Sequence, residues 1–279
     1  MSVKIMIDST ADMPQHLKER CLVVPLTVHF GEEEYVDGVT IDHRKFYEKL
    51  VESDVLPTTS QASPGAFAQA LESVDEGDSV VLITLSSHLS GTYQSATIAA
   101  AEYPDRVFVV DSLSVAIGTG VLVELALQLS DSGISARQIA EELERARDKV
   151  RVVALLDTLE YLKRGGRISK SVAFAGALLS IKPVVAISEG KIEMLGKARG
   201  SKQGNNLLVQ QIYNAGGVDF DKPLLLGYTG FSDQLLKKYV EDSKALWEDG
   251  TDNLRATPIG SVIGTHAGPG AVAVAFFSK

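Results

Sequence analysis

The sequence is poor in several residue types, and each scarcity limits what the chain can be. Its 279 residues include a single cysteine, Cys21, so no disulfide can form within the chain, which is typical of proteins from reducing compartments. Aromatic residues make up only 6% of the chain, and 27 basic side chains are outnumbered by 36 acidic ones, giving a formal net charge of -9. General nucleic-acid binding requires an excess of basic charge, so the composition argues against a nucleic-acid partner.

Long apolar runs are also missing. The low-charge stretch SVAFAGALLSI lies between Lys170 and Lys182 and is too short to span a bilayer. The opening MSVKIMIDST turns polar after a few apolar residues, a pattern that does not predict a signal peptide. We therefore expect a cytoplasmic protein with room for one large or two medium domains.

The first half of the chain alternates β-rich and helical segments. The extended runs are VKIMI, LVVPLTVHF, VVLITL and VFVV, and the helices between and after them open near Pro14, at 42–53, from Gly91 and at 114–130. Ser63 before Pro64, and Ser135 with Gln138 three residues later, are typical helix starts. Strands that alternate with helices predict a parallel sheet covered by helices.

The pattern changes near residue 150. KPVVAISEGKIEMLGKAR predicts a hairpin around a Glu-Gly turn, and further strands are predicted at KPLLLGY, NLRATPIG, SVIGT and AVAVAFF, with helices near 200–214 and 232–247. We predict an α/β fold with two domains: a parallel-sheet α/β domain over residues 1–150, and an α+β domain over 151–279 with a largely antiparallel sheet.

Three loops rich in serine and threonine lie where strands lead into helices: DSTAD, TTSQASPG and SSHLSGTYQSA. Free N–H groups and the positive end of the helix dipole at such turns suit a carboxylate or a phosphate. The hydroxyls of Thr59, Ser60, Ser90 and Thr92 add neutral donors. The alternative is that these residues only cap helices, and the residues alone leave both interpretations open.

Other chemistries have weaker support. The sequence has no phosphate-binding G-x-x-x-x-G-K-[ST], AIGTG lacks the third glycine of G-x-G-x-x-G, and the five histidines show no metal-ligand spacing, so no cofactor or metal is expected. Ser90, Asp111 and His266 follow the chain order of an α/β-hydrolase triad. His88 stands where the G-x-S-x-G elbow has glycine, but a serine esterase or hydrolase stays an alternative.

Basic side chains cluster in the second half. Lys163, Arg164 and Arg167 lie close together in LEYLKRGGRIS, and Arg199 follows in KARGSK. On an acidic protein this cluster could receive a phosphate or an acidic partner, or it could simply be a solvated helix face. His266, in the glycine-rich segment GTHAGPGA between two strand-like runs, would be a switchable hydrogen-bond donor to an anion.

Seven segments in order along the chain carry a family resemblance. IDSTADMP, PTTSQASPG, SSHLSGTYQSA, VVDS, LEYLKRGGRIS, LLSIKPVV and THAGPGA together resemble the DegV family of bacterial fatty-acid-binding proteins, from residue 5 to about residue 271. Each segment alone is weak evidence for the family, but seven segments in order and at fitting spacing are specific to it. In TTSQAS, Ala62 replaces a proline that is frequent in the family.

The resemblance implies a lipid carrier and no enzyme activity of its own. Such a protein holds one long-chain fatty acid, such as palmitate (C16–C18), in a tunnel between two domains. It presents the carboxylate to a dihydroxyacetone-kinase-like fatty acid kinase, and the acyl phosphate formed from ATP feeds phospholipid synthesis. Transient membrane contact is compatible with this role. A module that binds only a small anion is a further alternative.

The resemblance also assigns residues. The carboxylate contacts fall on Thr59 and Ser90, with His266 near the head group and Ser60, Gly91 and Thr92 beside them. The surface for the kinase or the acyl phosphate falls on Arg199, Arg167, Arg164 and Lys163. An acyl chain also needs an apolar slot, for which we expect Phe174, Leu178, Ile117 and Val121.

Overall fold

The computed structural model describes residues 2–168, 181–250 and 254–279. The strands in these ranges are β1 (Val3–Asp8), β2 (Leu22–Val24), β3 (Thr27–Phe30), β4 (Glu33–Val36), β5 (Thr58–Ser60), β6 (Ser79–Thr84), β7 (Val107–Asp111), β8 (Val150–Leu155), β9 (Ile181–Ser188), β10 (Lys191–Arg199), β11 (Leu225–Tyr228), β12 (Ala256–Pro258) and β13 (Val272–Phe277). The helices are α1 (Gln15–Lys18), α2 (His43–Glu52), α3 (Pro64–Glu72), α4 (Thr92–Ala100), α5 (Ile117–Asp131), α6 (Ala136–Ala146), α7 (Glu160–Arg164), α8 (Gly200–Asn214), α9 (Gln234–Asp242), α10 (Lys244–Trp247) and α11 (Ser261–Ala267). None of the helices in the described ranges is long and apolar enough to cross a membrane.

Four parallel strands form the first sheet, in the order β2-β1-β6-β7. Alternate residues of its central strands enter different apolar clusters, with Ile5 and Ile83 on one face and Met6 and Leu82 on the other. Burial on both faces explains why these strands are nearly continuous apolar runs. The predicted parallel-sheet α/β unit is confirmed.

Six strands form the second sheet, in the order β10-β9-β8-β13-β11-β12. Neighbours are antiparallel except for β11 and β12, which are parallel. The hairpin β9–β10 turns at Glu189 and Gly190, with φ angles of 48° and 76°. Two positive φ angles match the twist of the hairpin strands, and glycine adopts such a conformation without strain. The predicted hairpin and the largely antiparallel sheet are confirmed.

A small third sheet, in the order β4-β3-β5, differs from the expectation. LVVPLTVHF, expected as one extended run, contributes two strands to two different sheets, β2 and β3. Pro25 lies between them and has no N–H that could donate a hydrogen bond to a neighbouring strand. Thr59 and Ser60, expected in a loop, lie in β5, whose partner is β3.

The segment SVIGT is the start of helix α11, so its prediction as a strand is wrong. Its β-branched residues favour a strand. Two carboxylates from distant parts of the chain hold the start of the helix instead: Asp12 Oδ1 accepts from the N–H of Gly260 at 3.0 Å, and Asp37 accepts from the hydroxyl of Ser261. His266 therefore lies in the last turn of a helix, not in a loop.

The other helix starts agree with the sequence. Ser63 and Ser135 accept hydrogen bonds from the N–H groups of Ala66 and Gln138, so both predicted caps are confirmed. The helix predicted at 232–247 is divided at Ser243, whose hydroxyl accepts from Trp247 Nε1 at 2.9 Å.

Helix α5 connects the two large sheets. Every residue from Ile117 to Leu127 is buried. One apolar cluster contains α5 together with Ile5 and Ile83 of the parallel sheet and Ala273 and Ala275 of the six-stranded sheet. A helix that is apolar all round belongs inside a protein, between layers. The domain boundary near residue 150 stays a prediction.

Candidate functional site

A cavity of about 400 Å³, here called the central cavity, lies between the loops that follow β6 and β7 and one face of the six-stranded sheet. Residues of β5, β8, β9, β13 and α11 also line it. Its volume lies within the range of small-molecule sites in proteins. Because ligands bind beyond the carboxyl ends of parallel strands, the cavity lies where the sequence placed a site.

A row of small side chains leaves room for the central cavity. Ala154 of β8 is in register with Ala273 of β13 and Val185 of β9, and Ala273 is in register with Gly227 of β11. Residues directly opposite each other point to the same face of a sheet, so this row forms an apolar groove across four strands. A Cβ at Gly227 would lie 3.2 Å from Ile117 Cδ1, which shows that Ile117 covers that end of the row.

One end of the central cavity is polar. Thr59 of β5 and His266 of α11 meet there, with Thr59 Oγ1 at 2.9 Å from His266 Nε2. These residues are 207 positions apart, and the packing of α11 on β3 and β5 brings them together. Ser60 also lines the cavity, and its hydroxyl lies 2.9 Å from His29 Nε2.

The turn before α4 completes the polar end. Ser90 and Gly91 line the cavity, and Ser90 Oγ lies 2.9 Å from the hydroxyl of Thr92 and accepts from its N–H at 3.3 Å. Thr92 is buried behind Ser90 and does not line the cavity itself. A Cβ at Gly91 would lie 2.1 Å from Gln61 Oε1, so the side chain of Gln61 packs directly against this glycine. Gln61, which also lines the cavity and donates to Ser95, is a site residue that the sequence did not single out.

His266 is neutral at physiological pH in this site. Burial, and next the positive charge of Arg167, lower the pKa of His266 to about 4. Its Nδ1 is buried without a hydrogen-bond partner in the described part of the chain. A Cβ at Gly165 would lie only 2.2 Å from this atom, so Gly165 makes room for the ring. The hydroxyls of Thr59 and Ser90 and the neutral imidazole of His266 supply uncharged hydrogen-bonding groups at this end of the cavity.

The basic cluster divides into two parts. Arg167, predicted as a surface residue, is half-buried and lines the central cavity, where its side chain donates to the carbonyls of Leu89 (3.2 Å) and Gly165 (2.6 Å). Lys163 and Arg164 are exposed on α7, and Arg164 pairs with Glu160 of the same helix at 2.5 Å. The turn after α7 directs Arg167 toward the cavity, and the role of these three residues at a partner or phosphate surface stays a prediction.

Arg199 is exposed at the end of β10 and does not line the central cavity. Its backbone N–H donates to Gln203 Oε1 at 3.0 Å, which fixes the start of α8. Its predicted role at a partner surface stays a prediction.

The residues predicted for an apolar slot have three different positions. Ile117 lines the central cavity. Val121, one turn further along α5, is fully buried in the core and does not line the cavity, because only the first turn of α5 reaches it. Phe174 and Leu178 lie outside the described residues.

The triad of a hydrolase is not assembled by these residues. Asp111 accepts hydrogen bonds from the N–H groups of Ser87 and Leu113 at 3.0–3.2 Å. In a catalytic triad the acid instead accepts from the histidine and orients it. The hydroxyl contact of His266 is with Thr59, and that of Ser90 is with Thr92. The alternative of a serine hydrolase therefore lacks its hydrogen-bonded chain among the described residues.

The loop DSTAD also differs from the expectation, because its polar groups bind the protein itself. Asp8 accepts from the N–H and hydroxyl of Thr10 and from the N–H of Leu85, at 2.6–2.9 Å. Burial is the main cause that raises the pKa of Asp12, to about 7. No group of three metal-binding side chains occurs in the part of the chain that the structure describes.

Comparisons with known proteins found the following similarities. A family model described as "Uncharacterised protein, DegV family" matches residues 2–279. A DegV domain-containing protein of Deinococcus radiodurans is 36% identical, with 99% of this chain and 98% of the relative covered. A solved structure from Thermus thermophilus, described as fatty acid binding of a DegV family protein, has a TM-score of 0.88 and 35% identity over the whole of both chains. A stearic-acid-binding protein from Eubacterium ventriosum has a TM-score of 0.86 and 27% identity, with 100% of this chain and 99% of that protein covered.

Proposed function

This chain belongs to the DegV family, and on that premise we propose that it binds one long-chain fatty acid in the central cavity. The observation that carries the proposal is the asymmetry of this cavity, which has hydroxyl and imidazole groups at one end and aliphatic side chains along the row of Ala154 and Ala273. A fatty acid has the same asymmetry. The relatives from Thermus thermophilus and Eubacterium ventriosum, described as binding a fatty acid and stearic acid, support the same ligand class.

The carboxylate is held by the hydroxyls of Thr59 and Ser90 in this proposal, and His266 orients the hydroxyl of Thr59. His266 is neutral, and the Nε2–H tautomer donates to Thr59 Oγ1, so the Thr59 hydroxyl hydrogen is free to donate to the ligand. This tautomer leaves a lone pair unpaired at the buried Nδ1, which is tolerated better than an unpaired N–H. A buried carboxylate needs such donors because its desolvation is otherwise unfavourable.

The acyl chain supplies most of the affinity. A chain of roughly fifteen methylenes, at about 0.8 kcal/mol each, gains on the order of 12 kcal/mol when it leaves water. Association and ordering remove several kcal/mol of this, which leaves tight but reversible binding. A small anion would leave the apolar groove of Ala154 and Ala273 without a ligand, so the cavity supports a fatty acid over the small-anion alternative.

The finer part of the proposal is that the protein is a carrier that presents its ligand to a dihydroxyacetone-kinase-like kinase in the cytoplasm. The kinase transfers the γ-phosphoryl group of ATP to a carboxylate oxygen, which yields an acyl phosphate and ADP. Exposed Lys163 and Arg164 support a docking surface near the polar end, because α7 packs against α11, which carries His266. Arg199 adds a further exposed cation.

The direct test is to denature the purified protein, extract it with solvent and analyse the extract by mass spectrometry. We expect near-stoichiometric palmitate or stearate, or uptake of both by protein that has been stripped of lipid. A clean extract that stays clean after incubation with these acids would refute the proposal. Thr59→Ala should lower retention, whereas Thr58→Ala, its exposed neighbour on β5, is the matched control.

A further inference from the structure

A second cavity, here called the distal cavity, adjoins the central one. It has a volume of about 670 Å³. Three residues line both cavities: Val152 of β8, and Ala186 and Ile187 of β9. The two spaces are thus separated at this place by the thickness of a few side chains.

The distal cavity is located where β8 and β9 separate. Their pairing ends at Val152 and Ile187. Beyond this pair β8 continues to Val150 against β13, and β9 continues to Ser188 against β10. The parted ends, Val150–Arg151 on one side and Ser188–Glu189 on the other, are called the β8–β9 fork.

Residues from both faces of the sheet line the distal cavity. Val152 and Ile187 belong to the face of the central cavity, whereas Val153, the next residue along β8, points to the opposite face and lines the distal cavity alone. Because successive residues of a strand point to opposite faces, a cavity lined by both sets passes through the fork rather than along one face.

Val152 and Ile187 lie far from the polar end. The central cavity is lined by Val152 and Ala154 of β8 and by Leu156 directly after it, and Leu156 clusters with Leu162 of α7. At about 3.3 Å per residue, Val152 lies roughly 13 Å beyond Leu156 along the strand. An acyl chain that runs from the polar end along β8 thus ends against Val152 and Ile187.

Helix α5 holds this barrier in place. A Cβ at Gly118 would lie 2.3 Å from Val152 Cγ2, so the Val152 side chain occupies the notch that this glycine leaves in the helix. A β-branched side chain has few χ1 rotamers, and one that is packed in a notch moves little. The barrier is therefore a fixed wall and not a mobile flap.

Resting on the proposed function, we infer that Val152 and Ile187 form an end stop that sets the longest acyl chain the protein accepts. The fork behind them is the space into which a longer chain extends once the stop is shortened. Leu113 and Leu195 supply apolar lining there, and Arg151 and Gln211 make the rest polar, which suits a methyl end emerging toward water.

The test uses protein stripped of lipid and incubated with an equimolar mixture of myristate, palmitate, stearate, arachidate and behenate. Bound acids are then quantified by mass spectrometry. Val152→Ala and Ile187→Ala are each expected to raise the bound ratio of arachidate to stearate about tenfold, since the two extra methylenes of arachidate find an apolar place. Ile187→Phe, which enlarges the stop, should shift the distribution toward myristate. Val184→Ala is the matched control, because Val184 is buried on the opposite face and lines neither cavity.

The outcomes separate the end stop from the proposed function. Wild-type uptake of palmitate or stearate, with an unchanged chain-length distribution in all three folded variants, overturns the end stop and leaves fatty-acid binding intact. Wild-type protein that takes up none of the five acids overturns both. A shift of the same size in Val184→Ala also overturns the end stop, because it would show a general loosening of the sheet.

Discussion

Replacement of Ala154 by leucine tests the central cavity most directly. Ala154 stands in the middle of the row that Gly227, Ala273 and Val185 form across the six-stranded sheet. Its side chain faces the cavity, so a larger residue extends into the space assigned to the acyl chain. We expect the variant to fold and to bind long-chain fatty acids more weakly.

The magnitude follows from the atoms added. Leucine carries three more carbons than alanine and fills the room of about three methylenes of the ligand. At about 0.8 kcal/mol per methylene, the binding free energy falls by about 2.4 kcal/mol. Because each 1.4 kcal/mol is tenfold in affinity, Kd for stearate should rise roughly 60-fold.

The assay is calorimetric titration of lipid-free protein with stearate, beside urea unfolding of the same samples. Ala256→Leu is the matched control, since Ala256 is exposed on β12 of the same sheet. An Ala154→Leu variant that folds and binds stearate within about fivefold of the wild type would refute the placement of the acyl chain along this row.

Three further predictions concern charge. His266 stays neutral in the folded state down to its pKa of about 4, so the free energy of unfolding should fall by up to about 3 kcal/mol as the pH drops from 6.5 to 4. Urea unfolding of His266→Gln should show no such fall. Asp12 acts in the opposite direction, because its pKa in the folded state is about 7: the free energy of unfolding should fall by up to about 4 kcal/mol as the pH rises from 3.8 to 7. An equal dependence of the free energy of unfolding on pH in Asp12→Asn and wild type would contradict this. Arg199→Ala should keep bound fatty acid but slow its phosphorylation by the proposed partner kinase, and loss of the lipid itself would move Arg199 into the site.

The fold was predictable where local pattern and global packing agree. The parallel strands are apolar on both faces, and Glu189-Gly190 supplies the turn that a hairpin needs. The start of α11 was not predictable, because Asp12 and Asp37 hold it from more than 200 residues away along the chain. A window of local sequence contains neither carboxylate, and Val-Ile-Gly-Thr alone favours a strand.

The candidate site was likewise predictable only in part. Hydroxyls beside a helix start, as at Ser90, are visible in the sequence, although only the family resemblance separated an anion site from simple caps. The walls of the central cavity could not be predicted from the sequence, because only the register of β8 with β13 brings Ala154 beside Ala273. The inward direction of Arg167 was not visible either, because it depends on the turn at Gly165-Gly166, which closes onto His266.

The two ends of the proposed ligand are bound by different parts of the fold, and this separation has a measurable consequence. Thr59 belongs to the three-stranded sheet and bonds to α11, whereas Ala154 belongs to the six-stranded sheet and shares no hydrogen bond with that network in the described part of the chain. Substitutions without shared partners add in free energy to within about 0.5 kcal/mol. The losses of stearate affinity in Thr59→Ala and Ala154→Leu should therefore sum in the double variant, as measured by calorimetric titration. A double variant that loses much less than the sum would show that the head group moves when the chain is displaced. Additive losses would show that the two ends are held independently, so that each single loss measures what the Thr59 hydroxyl and the row of small residues contribute to the affinity.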